Sequence, residues 1–157
     1  VSREGGWVWT WPEFAASVRV PGEVDALWRS HRQGGADPER GGQLFVDARD
    51  AQGLYLGCAT PPHGRDRSGH HWLELDARRC RAELRAAERM GLQLLGYWHT
   101  HPEPVPHVSP QDTASFREFT RRNGSTLPYP VCVIVGQSAV RAWSIRESQV
   151  IEARYVG

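Results

Sequence analysis

Few patterns tie a chain down as tightly as two histidines at i and i+2 that end a buried strand and lead straight into a helix start. Leu92-Gln93-Leu94-Leu95-Gly96 is an apolar run bounded by glycines, and Tyr97-Trp98-His99-Thr100-His101 continues it. Residues two apart on a strand face the same side, so His99 and His101 aim both imidazoles one way. A proline-rich loop follows, and then Ser109-Pro110-Gln111-Asp112. Serine suits the N-cap, proline the first helical position, and Asp112 falls third, in a first turn that can point back at the histidines. Two imidazoles and one carboxylate on short, rigid elements leave a fourth zinc position open for water, the pattern of catalytic sites. Each half alone has a plainer reading. His-x-His also occurs at the polar rim of a sheet, and Ser109 with Asp112 also reads as a capping box in which Asp stands for Glu.

At 157 residues the chain fits one domain with a proper core. Its formal net charge of +1 gives no broad electrostatic case for binding nucleic acid or a membrane surface. No apolar run is long enough to span a bilayer, and no signal-peptide pattern opens the sequence. Cys58, Cys80 and Cys132 are scattered and odd in number, which reads as buried thiols in a reducing cytoplasm. There is no lysine, so all the positive charge is arginine. A GC-rich genome accounts for this, and a chain without lysine also could not be tagged through a lysine isopeptide bond.

Trp7-Val8-Trp9-Thr10-Trp11 alternates with period two and puts three indoles on one face, either an apolar sheet face or, if exposed, a partner patch. Residues 17–20 read as a short strand. A helix is expected over 23–33, with Val24, Leu27, Trp28 and His31 at helical spacing and Gly34-Gly35 as its end. His31 there reads as a packed or rim residue. Asp37 to Val46 reads as a polar turn leading into a strand, in which Glu39 alone would pass as a solvated loop residue. A strand over 54–59, a polar loop over 60–70 and a strand end at 71–74 follow. The helix from Asp76 carries an apolar row at Ala77, Cys80, Leu84 and Ala87, and its charges read as a solvated face. After Asp112 a helix runs to Arg122, Asn123-Gly124 closes it, and 125–130 is a loop. Val131–Val135 is a continuous apolar run and so a central strand; 140–145 and 150–156 read as further strands.

Taken whole, His99-x-His101, seven residues, Ser109, two residues, Asp112 resembles the signature of the JAMM metallopeptidases, the catalytic branch of the JAB/MPN domain family. The resemblance covers the chain from about Val18 onward; the Trp-rich residues 1–17 lie outside it as an extension of a single domain over 1–157. It implies an α/β, cytidine-deaminase-like fold: a curved, mostly antiparallel sheet flanked by helices. It implies zinc held by His99, His101 and Asp112. Spacing alone does not decide which carboxylate serves as base, since Glu103 also lies near the histidines. In the family the base is an upstream glutamate before a Gly-rich strand start, which Glu39-Arg40-Gly41-Gly42 matches. Ser109 corresponds to the residue that hydrogen-bonds the oxyanion.

Members cleave isopeptide or peptide bonds at the carboxyl terminus of ubiquitin-like proteins. Gly96 to Glu103 is similar to the bacterial JAB deconjugases of antiphage operons, of the CBASS type or the related ubiquitin-like conjugation type, which implies conjugation enzymes as partners. The expectations of no nucleic-acid or membrane partner and of a cytoplasmic location come from the charge, the apolar pattern and the cysteines above. The alternatives are a non-catalytic MPN scaffold, which usually lacks the ligands, and a JAMM peptidase that processes a sulfur-carrier protein or belongs to the DNA-repair branch. Loops 60–70 and 123–130 are expected to flank the site; the individual substrate-binding residues stay unknown.

Overall fold

The computed structural model describes residues 5–50, 53–123, 130–146 and 149–157. In chain order the elements are β1 (Gly6–Trp11), β2 (Ala16–Pro21), α1 (Gly22–Ser30), β3 (Gly41–Asp47), β4 (Leu54–Ala59), β5 (Arg67–Gly69), β6 (Trp72–Glu74) and α2 (Ala77–Arg89). Then come β7 (Gln93–Thr100), α3 (Pro110–Asn123), β8 (Val131–Val135), β9 (Val140–Arg146), β10 (Gln149–Glu152) and β11 (Arg154–Val156). One sheet takes the order β10-β9-β8-β7-β3-β4-β2-β1-β11, and β5 pairs with β6 in a separate hairpin. Only the β2–β4 and β7–β8 pairs are parallel, so the sheet is mostly antiparallel, as expected.

That order forces strong curvature. Strands lie about 4.8 Å apart, so the outer strands of a flat nine-stranded sheet would stand roughly 38 Å from each other. Here β10 and β11 are those outer strands, yet only Ala153 separates them in sequence. The sheet must therefore curl until its two ends share the single segment 149–156. Trp11 confirms it: its indole Nε1 donates to the Ile151 carbonyl at 2.9 Å. The strand expected over 150–156 is thus two, broken because Ala153 donates its amide to Ala142 while the chain passes from one neighbour to the other.

Inside the curve lie Trp9, Trp11, Val18, Leu44, Leu56, Leu95, Trp98, Val131, Val133 and Val135, together with Val24 and Trp28 of α1. The indole stripe is therefore a sheet face: β1 pairs with both β2 and β11, and Trp9 and Trp11 are buried. On the outer face α3 sets Phe116 against Cys132, Ile134 and Trp143, and α2 sets Ala87 against Phe45 and Leu94. The fold is α/β, with a helix on the inner face and two on the outer.

Several local expectations need correction. Helix α1 stops at Ser30, not at Gln33, because the Gln33 side chain is drawn into the loop beyond it, donating to the Asp37 and His70 carbonyls at 2.8 Å each. The stretch 60–70 is not all loop, since β5 forms there and pairs with β6 around Gly69 and Trp72. The charges of α2 are not all solvated: Arg79 is buried, paired with Asp66 at 2.8 Å and Glu83 at 3.0 Å. The expected apolar row of α2 loses Ala77 to solvent. Cys132 is buried, whereas Cys58 and Cys80 are half-buried, and all three are free thiols. The expected helix end at Gly124 and the loop over 125–129 lie outside the described residues.

Candidate metal centre

The side on which the two histidines emerge is set by an irregularity in β7. Leu44 pairs with Gly96 and Phe45 with Leu94, so Leu95 is an extra residue in the ladder. A bulge of this kind reverses the alternation beyond it. Leu95 and Trp98, three apart, both enter the inner core, while Tyr97 packs outward against Phe116 and Phe119 of α3. His99 and His101 consequently leave the strand on the outer face, toward the start of α3.

There the helix delivers its carboxylate in a fixed orientation. The Asp112 amide donates to Ser109 Oγ at 3.0 Å, and the Ser109 amide donates to Asp112 Oδ2 at 2.9 Å. This is a reciprocal capping box with aspartate in the usual glutamate place. Asp112 Oδ1 then lies 3.0 Å from His99 Nε2, Asp112 Oδ2 lies 3.1 Å from His101 Nε2, and the two Nε2 atoms are 3.2 Å apart. A tetrahedral zinc ion with bonds of 2.0–2.1 Å needs ligand atoms about 3.3 Å from one another. Among the described residues these three form a cluster able to hold a metal, and its donor set fits zinc. His107, on the intervening loop, is exposed and contributes nothing to the triangle.

The electrostatics follow from the same contacts. Burial pushes the Asp112 carboxyl up, but hydrogen bonds with His101 and His99, the charge of His99 and the Ser109 amide outweigh it and hold it well below the usual carboxylate range. Burial pulls His101 down, yet its hydrogen bonds to Asp112 and Glu103 raise it to about 9. A metal must therefore compete with a proton for that ring. Glu103 Oε1 lies 3.0 Å from His101 Nδ1 and also accepts the His107 amide at 2.8 Å. It grips the ring nitrogen that faces away from the triangle, as outer-shell carboxylates do. His99 Nδ1 has no such partner among the described residues, although it is buried.

Glu39 stands differently. It is 5% exposed on the loop before β3, which pairs Gly41 with His99. Burial raises its carboxyl above the ordinary value, against the pull of His99 and His101. No hydrogen bond from another described side chain occupies it. Beside it opens a cleft of about 450 Å³ between α2, β6 and α3, bordered by Glu39, His99, Asp112, Trp72, Tyr97 and Phe119. The structure thus brings His99, His101 and Asp112 into one cluster, sets Glu39 beside them at the cleft, and keeps Ser109 at the cap. The Ser109 hydroxyl accepts the Asp112 amide and retains its own proton for another acceptor. Sequence reading missed Trp72 and Tyr97 as cleft residues. Tyr97 had a usable signal, since it lies two residues before His99 and shares its face.

A curved sheet whose outer face carries a His-His-Asp cluster at a helix start defines a JAB/MPN-like fold with a candidate metal centre. Residues 22–146 match the prokaryotic homologues of the JAB domain, and the chain belongs to that family. No curated protein matches it significantly. Among solved structures it is similar to the solution structure of protein DSY2949 from Desulfitobacterium hafniense, at 20% identity over 83% of each chain with a TM-score of 0.58. That likeness concerns the fold alone.

Proposed function

We propose that the protein is a zinc-dependent peptidase of the JAMM type that cleaves the peptide or isopeptide bond after the carboxyl terminus of a ubiquitin-like protein. The observation that carries this reading is the 3.0–3.2 Å triangle of His99, His101 and Asp112 with a buried carboxylate, Glu39, beside it at the cleft. A zinc ion bound there would lower the pKa of a water molecule toward about 7 and polarise the scissile carbonyl. Glu39 takes the proton of the attacking water and returns it to the leaving amine, work suited to a carboxylate whose basicity burial has raised. The Ser109 hydroxyl donates to the carbonyl oxygen as it becomes negative, worth on the order of 3 kcal/mol. Glu103 holds the His101 imidazole in orientation through Nδ1. The cysteines take no part: burial pushes the Cys80 thiol up to about 11, far from a thiolate nucleophile. The substrate, an antiphage operon setting and partner conjugation enzymes rest on the family resemblance, and a cytoplasmic location on the odd, scattered cysteines. Among the described residues no helix is long and apolar enough to cross a membrane.

Turnover of ubiquitin-like fusions, with zinc measured on the same samples, tests this reading. Glu39→Gln keeps the size and polarity of the side chain, so zinc and fold should survive while hydrolysis falls at least about 10²-fold. Glu103→Gln should act more mildly, since Glu103 meets the ligand set only at the outer nitrogen of His101. A Glu39→Gln protein as active as the parent refutes the assignment of the base. A zinc-loaded parent that cleaves no such fusion favours an MPN-type scaffold.

A further inference from the structure

Glu39 lies in a stretch without regular structure, between α1 and β3. A base on a loop works only if something fixes it against the metal ligands, because misplacement by about 1 Å can cost about 10²-fold in rate. Two buried polar side chains converge there. Gln33 is 1% exposed and Thr100 0% exposed. The Gln33 amide donates to the Asp37 and His70 carbonyls at 2.8 Å each, which uses both of its N–H groups. Since both partners are pure acceptors, the amide can stand only one way round, leaving Oε1 to accept. The Thr100 hydroxyl donates to that Oε1 at 3.0 Å and accepts the Arg40 amide at 3.0 Å. The Thr100 amide donates to the Arg40 carbonyl at 2.9 Å, the Glu39 amide to the Gly69 carbonyl at 2.8 Å, and Gln137 Nε2 to the Gln33 carbonyl at 3.2 Å.

Each contact ties the Glu39 loop to something rigid. Thr100 sits between His99 and His101 on β7, and its side chain points to the opposite face. Asp37 and Arg40 bracket Glu39, while Gly69 and His70 belong to the β5–β6 turn. We propose that Gln33 and Thr100 form a latch that positions the Glu39 carboxylate over the metal ligands, with Thr100 as the direct link between the ligand strand and the base loop. They are positioning residues: neither touches the cleft. The cluster explains why a glutamine would be buried beyond the end of α1, where the apolar pattern has no place for it.

The latch rests on the peptidase reading only for its catalytic consequence, so two measurements keep the two apart. Amide hydrogen exchange of the zinc-loaded protein reads the loop itself. Gln33→Leu removes neither the Glu39–Gly69 bond nor the Arg40–Thr100 bond, yet both amides should exchange at least about tenfold faster. Thr100→Val should speed Glu39 likewise, and Thr100→Ser, which keeps the hydroxyl, should restore the parent rate. Turnover reads the chemistry: Thr100→Val should lower kcat by about 10- to 100-fold with KM and zinc content unchanged, and Thr100→Ser should recover it. Adding Gln33→Leu to Thr100→Val should cost little more, because the two act as one unit. Unchanged exchange at Glu39 in Gln33→Leu and Thr100→Val overturns the latch, as does a kcat loss that follows zinc content. Faster exchange in a protein whose parent hydrolyses nothing upholds the latch and sinks the peptidase reading.

Discussion

Replacing Asp66 with asparagine should destabilise the protein far more than its place on a polar loop suggests. Asp66 Oδ1 accepts the Asp76 amide at 2.7 Å and Arg79 Nε at 3.1 Å; Oδ2 accepts Arg79 Nη2 at 2.8 Å and the His63 amide at 3.1 Å. The Asp66 and Arg79 side chains are 7% and 3% exposed. Every atom facing the carboxylate is a donor, so one oxygen turned into an NH₂ group meets donors only. Breaking a buried ion pair by removing one partner costs about 3–5 kcal/mol. Arg79 keeps Glu83, the Thr60 hydroxyl and the Gly41 carbonyl, which places Asp66→Asn near the lower figure. In a chain of this size that lowers Tm by about 6–12 °C. The loss also has a pH signature. Burial pushes the Asp66 carboxyl up, but the bonds from Arg79 and the two amides hold it below the ordinary 3.8. Its contribution is therefore present above pH 3.8 and lost as pH falls through the depressed value. Circular-dichroism melts of parent and variant should differ at pH 7, and the gap should narrow as the pH falls below 3.8. A Tm within 2 °C of the parent at pH 7, or a gap that ignores pH, would falsify the argument. Arg121→Ala, which breaks an exposed pair with Glu118, is the contrast and should leave Tm unmoved.

Three further outcomes are expected. His99→Ala should lose its zinc, from about one ion per chain to near none, while keeping its circular-dichroism spectrum; His107→Ala should keep the metal, and elemental analysis separates the two. Zinc uptake at pH 7 should release about one proton, because His101 is held protonated up to about 9 in the metal-free protein and must be neutral to bind. Calorimetry in buffers of different ionisation enthalpy reads that proton, and a release of zero contradicts the contact geometry. Gly42→Ala should destabilise toward the upper end of the overpacking range, about 3 kcal/mol or more. Its Cβ would overlap the Thr60 carbonyl oxygen, which is backbone and has little room to yield; a melt matching the parent would refute this.

How much of the site could be read from the sequence depended on how local each determinant is. His99, His101 and Asp112 were legible because strand alternation and helix capping act within a few residues. The side on which the histidines emerge was not, since a single extra residue at Leu95 reverses the phase and nothing in the apolar run marks it. Glu39 carries no signal in spacing: its burial comes from a strand pairing some sixty residues away in the chain, and only the family resemblance selected it over Glu103. Arg79 was misread as part of a solvated face because of its charge, whereas its partners include the Asp66 carboxylate and the Gly41 carbonyl, which no helical periodicity connects to it. Gln33 was read only as the end of α1, and the contacts with Asp37, His70 and Thr100 that bury it leave no mark in helical spacing. The strand end expected at 71–74 is β6, whereas its partner β5 escaped because a three-residue strand is too short to show a period.

The curl that lets one segment serve both ends of the sheet has a consequence for the order in which the molecule can assemble. The contact between Trp11 and Ile151 closes a span of 140 residues. Loop-closure entropy for that span is about 4 kcal/mol, against about 1 kcal/mol for the four-residue connection between β8 and β9. Pairing that bridges so much chain is entropically delayed, so the β1–β11 seam should form last and part first. Strands β3, β7 and β8, which carry or adjoin the site, occupy the middle of the order, farthest from that seam. The weakest line of the sheet is thus the one whose opening disturbs the metal ligands least. Amides of residues 154–156 should exchange through small openings that leave those of 94–100 protected.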